Sequence, residues 1–254
     1  MLHSYDWSES SLIVELLTRE LGRVAVVAKG AKRPYSQLRA VLLPFQRLAV
    51  GFGRGAGGGD GEAAPEIFNL RAAEWNAGDA GVSAPISVLR GEALWSGFYL
   101  NELLLKLLAR QDPHPRLFDG YAATLPLLAA GDEGAAQAAL RAFELLLLRE
   151  IGVLPSLGEE AATLQPLQPE ARYALRAEHG LVKAAMQSEG ALPSAQWLVL
   201  QAALAGTDMT ALQRACAQGG AALRAALRQL LHYHLGTPLR TRQVLQDVQR
   251  LSPR

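Results

Sequence analysis

The chain has a single cysteine, Cys216, in 254 residues. One cysteine excludes a disulfide framework and a cysteine-based zinc site. Aromatic residues are scarce, at 6%, so a core has to be built largely from the alanine and leucine that dominate from about Pro85 onward. No apolar run approaches the ~18 residues of a membrane span; the richest, Leu103 to Ala109, is broken by Lys106. The opening MLHSYDWSESS lacks a basic n-region and an apolar h-region, which predicts no signal peptide and, with the single cysteine, a cytoplasmic protein. Catalytic motifs are missing too. The five histidines, His3, His114, His179, His232 and His234, are scattered, and the last two project from different sides of a helix. Neither G-x-S-x-G nor H-E-x-x-H occurs, so the residues predict no enzyme, no metal and no cofactor.

Charge is present but segregated. Residues 1–18 carry three acids and no base. From Arg19 to Arg54 there are eight cations, Arg19, Arg23, Lys29, Lys32, Arg33, Arg39, Arg47 and Arg54, against Glu20 alone, a net +7. Residues 55–213 hold ten bases and nineteen acids, and 214–254 hold seven arginines against Asp247. A formal charge of only +1 therefore hides two basic ends around an acidic middle, and the first basic stretch is an anion-seeking surface.

That stretch reads as β-structure. Leu12 to Thr18 and Arg23 to Lys29 alternate apolar residues at period two, with a turn at Arg19–Gly22. A loop from Gly30 to Gln37 follows. An apolar run from Leu38 to Phe52, with Pro44 implying an edge or a bulge, and Glu66 to Ala72 complete a small barrel. Gly53, Gly55 and Gly58 fit G-x-G-x-x-G, but neither a helix nor a βαβ unit follows, so a hairpin tip is the reading. Trp75 to Pro85 is the expected domain border. Beyond it the period turns helical: Ile86–Gln111, Phe118–Leu128, Ala135–Ile151, Ser194–Ala205, Thr210–Ala217, Ala221–Leu235 and Thr241–Leu251. Leu154–Pro169 reads as irregular and Tyr173–Lys183 as a hairpin turning at His179–Gly180.

A basic, loop-bearing barrel face grips a polyanion through cations on phosphates and aromatics under bases. The candidate DNA-contacting residues here are Arg23, Lys29, Lys32, Arg33, Tyr35, Arg39 and Arg47, with Phe45 and Phe52 assigned to the core. Arg141, ahead of Phe143 and Leu145–Leu148, marks a possible basic rim for an acidic peptide ending in an aromatic. A protein–protein adaptor that docks acidic tails is the alternative function.

Several segments, in order, carry a resemblance: LHSYDWSESSLIVELLTRELGRVAVVAKGAKRP, LLPF, GEALWSGFYLNELLLKLL, RAFELLLLREIG and YHLGTPLRTRQVL. They resemble the bacterial RecO family of recombination mediators from about Leu2 to Leu245. The resemblance implies an N-terminal OB-fold over 1–76 and an α-helical domain over 77–254. It implies binding of single- and double-stranded DNA and strand annealing. It further implies docking on the acidic C-terminal tail of single-strand-binding protein and, with RecR, loading of RecA in RecF-pathway repair. Such a protein is cytoplasmic and nucleoid-associated, with no membrane and no nucleotide hydrolysis. By motif, Lys29, Lys32 and Arg33 fall in the basic OB loop, Arg240 and Arg242 in the basic C-terminal segment, and Arg141 on the helix expected to take the tail. Two departures stand out. Where the family often carries a cysteine zinc module, this chain reads VLPSLGEEAATL, which predicts a zinc-free, degenerate region over about 153–190. The family also usually begins several residues earlier, so either the first barrel strand is shortened or the start is misassigned, and either alternative bears on closure of the barrel.

Overall fold

The structure, a computed structural model, describes residues 1–53, 67–76, 89–241, 243 and 244. Arg54, the glycine-rich tip, most of the Trp75–Pro85 border, Arg242 and most of the Thr241–Leu251 helix lie outside the described residues. The chain divides into two compact units, Met1–Ala122 and Ala123–Arg254.

Period-two alternation builds the first unit. Strands β1 (His3–Asp6), β2 (Leu12–Thr18), β3 (Gly22–Ala28), β4 (Leu48–Gly53) and β5 (Ile67–Trp75) form one sheet in the order β1-β2-β3-β5-β4. Neighbours pair antiparallel except β3 and β5, which run parallel with Val26 opposite Phe68. This is the strand order of an OB-type, partly open barrel. One face of β2 and β3 buries Val14, Leu16, Val24, Val26 and Ala28, and Leu48, Val50, Phe52, Phe68 and Leu70 pack against them. β1 is four residues long, and among the described residues β1 and β4 are the sheet's two edges, with no ladder between them. Met1, just before β1, is tied to the segment ahead of β4: its amine donates to Gln46 O at 3.2 Å and its carbonyl accepts from Phe45 N at 3.2 Å. Burial pushes that amine down to about 5.

The β2–β3 turn requires its glycine. Gly22 sits at φ +67, and a Cβ there would lie 1.9 Å from the carbonyl oxygen of Asp112. Helix α2 (Gly91–Leu107) is fastened to the sheet by Asn101, 2% exposed, which donates to Leu2 O at 2.8 Å and accepts from the Tyr121 hydroxyl. The Leu38–Phe52 run departs from expectation. Its start is a short helix, α1 (Gln37–Val41), and only Leu48–Gly53 is strand. Pro44 has no amide hydrogen for a ladder, so the strand begins after it.

The second unit is helical with a small β-insert. α3 (Pro115–Ala129) leads into it, followed by α4 (Glu133–Glu150), α5 (Ser194–Ala205) and α6 (Met209–Leu235). Gly220, at φ +48 and ψ −139, breaks α6 into the two expected helices. α4 buries Phe143 and Leu145–Leu148. Asp132 and Asp208 cap α4 and α6 by accepting from Ala135 N and Thr210 N. The expected hairpin is present as β8 (Arg172–Arg176) and β9 (Gly180–Lys183), turning at Gly180 with φ +64. It gains a third strand, β10 (Ala191–Pro193), on β8. The Leu154–Pro169 stretch, read as irregular, carries a two-residue ribbon of β6 (Glu159–Glu160) and β7 (Gln165–Pro166). Pieces this short leave no periodicity to read. Tyr173 and Trp197, both fully buried, hold the insert together: Trp197 Nε1 donates to Tyr173 O at 2.9 Å, and the Tyr173 hydroxyl accepts from Gln168 N.

Candidate nucleic-acid interface

The loop after β3 is shaped by one small residue. Ala31 is buried in the barrel core, which pulls the loop's centre inward and leaves the residues around it outside. Gly30, at φ +71, makes the turn, and Arg33 N donates to Gly30 O at 3.1 Å. Ser36 N then donates to Arg33 O at 3.0 Å. Lys29, Arg33 and Tyr35 are exposed, Tyr35 completely. Arg39 follows on α1, also exposed.

A second loop, Trp7–Ser11, is joined to the first. Trp7 N and Ser8 N both donate to Ser11 O, closing a tight turn. Lys32 N donates to Ser10 O at 3.0 Å, and its Nζ donates to Ser8 O and pairs with Asp6, each at 3.2 Å. Trp7 is 62% exposed and Tyr5 48%. Tyr5 packs edge-on against His3, with ring centroids 4.5 Å apart. The two loops thus make one lip, with cations and aromatics on a single ledge.

The structure sorts the other candidates. Arg23 is committed elsewhere: it lies 3.5 Å from Glu15 Oε2 and donates to Leu105 O. Glu15, 2% exposed, also pairs with Arg110. Burying that carboxylate without a cation is costly, so Arg23 serves the fold here. Arg19 is engaged with Asp119 at 3.0 Å. Arg47 is exposed just before β4, and Arg240 is exposed in the second unit. Phe45 is buried and Phe52 packs on Phe68, centroids 5.0 Å apart, as a core assignment requires.

Arg141 is likewise engaged inside its own unit. Its side chain is 12% exposed and pairs at 2.8 Å with Glu144, which is fully buried. Burial beside this pair pushes the Cys216 thiol up to about 12, with Glu144 adding to the rise and Arg141 opposing it. Arg141 is no open rim.

Trp7, Tyr5 and Arg71, outside the sequence candidates, also stand exposed in the first unit. A tryptophan among Asp6, Ser8, Glu9 and Ser10 has no apolar neighbour to bury it against, and that was the available signal. Arg71 is the residue skipped where Gly51 pairs with Ala72 and Phe52 with Leu70. The bulge re-aims it so that its guanidinium lies across Gly53, where a Cβ would fall 2.7 Å from Nη2.

The first unit is thus an OB-type sheet that carries exposed cations and aromatics on two joined loops. Residues 1–59 match the family model described as Recombination protein O N terminal, and residues 89–243 the one described as Recombination protein O C terminal. The chain is 51% identical over 253 residues to the DNA repair protein RecO of Polaromonas sp. (strain JS666 / ATCC BAA-500), covering 99% of this chain and 95% of the relative. It is 51% identical, with the same coverage, to the DNA repair protein RecO of Polaromonas naphthalenivorans, and 49% identical to that of Delftia acidovorans. The chain belongs to the RecO family of DNA repair and recombination proteins. No helix among the described residues is long and apolar enough to cross a membrane.

Proposed function

We propose that this chain is a non-enzymatic recombination mediator of the cytoplasm and nucleoid. It binds single- and double-stranded DNA, anneals complementary strands and, with RecR, helps RecA onto strands coated by single-strand-binding protein. The observation that carries the reading is the lip: Lys29, Arg33 and Arg39 exposed on one loop and the helix after it, in a chain of this family. Annealing needs no activated nucleophile. It needs two polyanions held close, and cations supply that by releasing counterions from phosphates. Arg47 and Arg71 add to the cationic set of the first unit, and Arg240 and Arg242 are the candidate contacts of the second. Docking of the acidic tail of single-strand-binding protein belongs to the helical unit in this proposal, without Arg141, whose guanidinium is taken by Glu144.

The test is a titration of a labelled oligonucleotide against salt. With about six phosphate contacts, affinity falls by roughly 10³ between 50 and 200 mM salt. Lys29→Glu with Arg33→Glu lowers affinity for single strands and duplex alike and flattens the salt dependence by about one to two units of log-log slope. Salt-independent binding, or unchanged binding by the double variant, removes the reading.

A further inference from the structure

The lip has a feature that charge does not explain. Two of the largest exposed side chains of the first unit, Trp7 at 62% and Tyr35 at 100% exposure, stand on the two loops that Lys32 ties together. An aromatic left in water serves no core. Each loop is anchored independently of its aromatic: Ala31 is buried at 1% and Ser11 at 8%, and the Lys32 contacts to Asp6, Ser8 and Ser10 are all within 3.2 Å. The rings are therefore presented on a fixed base and not held there by their own packing. Asp6 and Glu9 flank Trp7, and Asp6 is answered by Lys32, so phosphate attraction at the lip falls to Lys29 and Arg33.

We propose that Trp7 and Tyr35 are the base-stacking residues of this lip, taking unpaired bases while Lys29 and Arg33 take the flanking phosphates. The ledge thereby prefers single strands to duplex. Bases in a duplex are already stacked on one another and offer no free face, whereas every unpaired base has one. The assignment rests on the DNA-binding reading above and specifies which form of nucleic acid the lip selects.

The experiment uses the full chain with a labelled oligo-dT and a duplex of equal length, at one fixed salt concentration. Trp7→Ala and Tyr35→Ala each lower oligo-dT affinity by roughly 5- to 100-fold, the range that loss of one stacked base produces, and leave duplex affinity within about twofold. Trp7→Phe restores most of the loss. Oligo-dT quenches the intrinsic fluorescence of the wild-type chain, and Trp7→Phe abolishes most of that quenching; of the other three tryptophans, Trp197 is fully buried and Trp75 and Trp95 are half-buried, so they supply only the remainder. Equal losses on both nucleic acids, or no loss on either, overturn the assignment. So does a Trp7→Ala variant that keeps DNA affinity but dissociates a dimer in sedimentation, which would make the ring a contact between copies. The double charge reversal at Lys29 and Arg33 separates the two levels. If it weakens binding while Trp7→Ala does not, the stacking assignment alone fails; if it too is silent, the DNA-binding reading fails with it.

Discussion

The lip of the first unit and the Arg141 pocket of the second are built from the same residue types to opposite ends. At the lip, Lys29, Arg33 and Arg39 are exposed, and Lys32 meets an Asp6 whose side chain is 80% exposed. In the pocket, Arg141 at 12% exposure faces a Glu144 at 0%, beside a buried Cys216. The difference lies in the acid and not in the arginine. A buried carboxylate must have its cation close, because a lone charge there is expensive. An exposed one is already solvated and holds its cation weakly. Arg23 follows the same rule inside the first unit, drawn to the buried Glu15.

The comparison breaks most decisively on stability. Glu144→Ala strands the Arg141 guanidinium, and Arg141→Ala strands Glu144; each is expected to cost about 3–5 kcal/mol. Lys29→Ala and Arg33→Ala, on the open lip, are expected to change stability by no more than about 0.5 kcal/mol. Urea unfolding of the four variants checks it, and equal costs in the two places would erase the distinction.

A second contrast is chemical. With its thiol pushed up to about 12, Cys216 keeps its proton at pH 8, and its native-state reaction with a thiol reagent is expected to be slower than that of a free cysteine by about 10³. Because burial raises this group in the folded state, the unfolded chain gives up the proton first. Stability from this site is full below the ordinary thiol value of 9.0 and is lost as pH climbs toward 12. Rapid labelling of the folded protein would show the pocket to be open.

How much of this could be read from the residues differs between the two regions. Strands β2 and β3, the turns at Gly22 and Gly180 and the span of α5 follow from local alternation, positive-φ glycine and helical period, all short-range signals. Helix α1 was hidden because Leu38–Val41 continues the apolar run toward Phe52, and composition alone does not separate a buried turn of helix from a strand. Glu144, three residues after Arg141 and fully buried, was not singled out, because its burial is set by packing and not by the local pattern. Arg23's bond to Leu105 O was beyond reach, since Leu105 stands more than eighty positions away; its acid, Glu15, is close in sequence, but the burial that commits the pair was not visible there. Local pattern gave where cations occur; only tertiary packing decides which of them are free.

The smallest expected effect sharpens the comparison at the lip itself. Asp6 competes with phosphate for Lys32 across a pair that is 32% and 80% exposed. Exposed pairs of this kind are worth about 0–1 kcal/mol, so Asp6→Asn is expected to raise affinity for single strands by about two- to fivefold at low salt. The gain should fade as salt approaches ~0.5 M, where exposed charges are screened within a few ångströms. A fall in affinity would reverse the logic: Asp6 would then act as the brace that holds the Trp7 loop against the basic loop, and the lip would resemble the Arg141 pocket in depending on its acid.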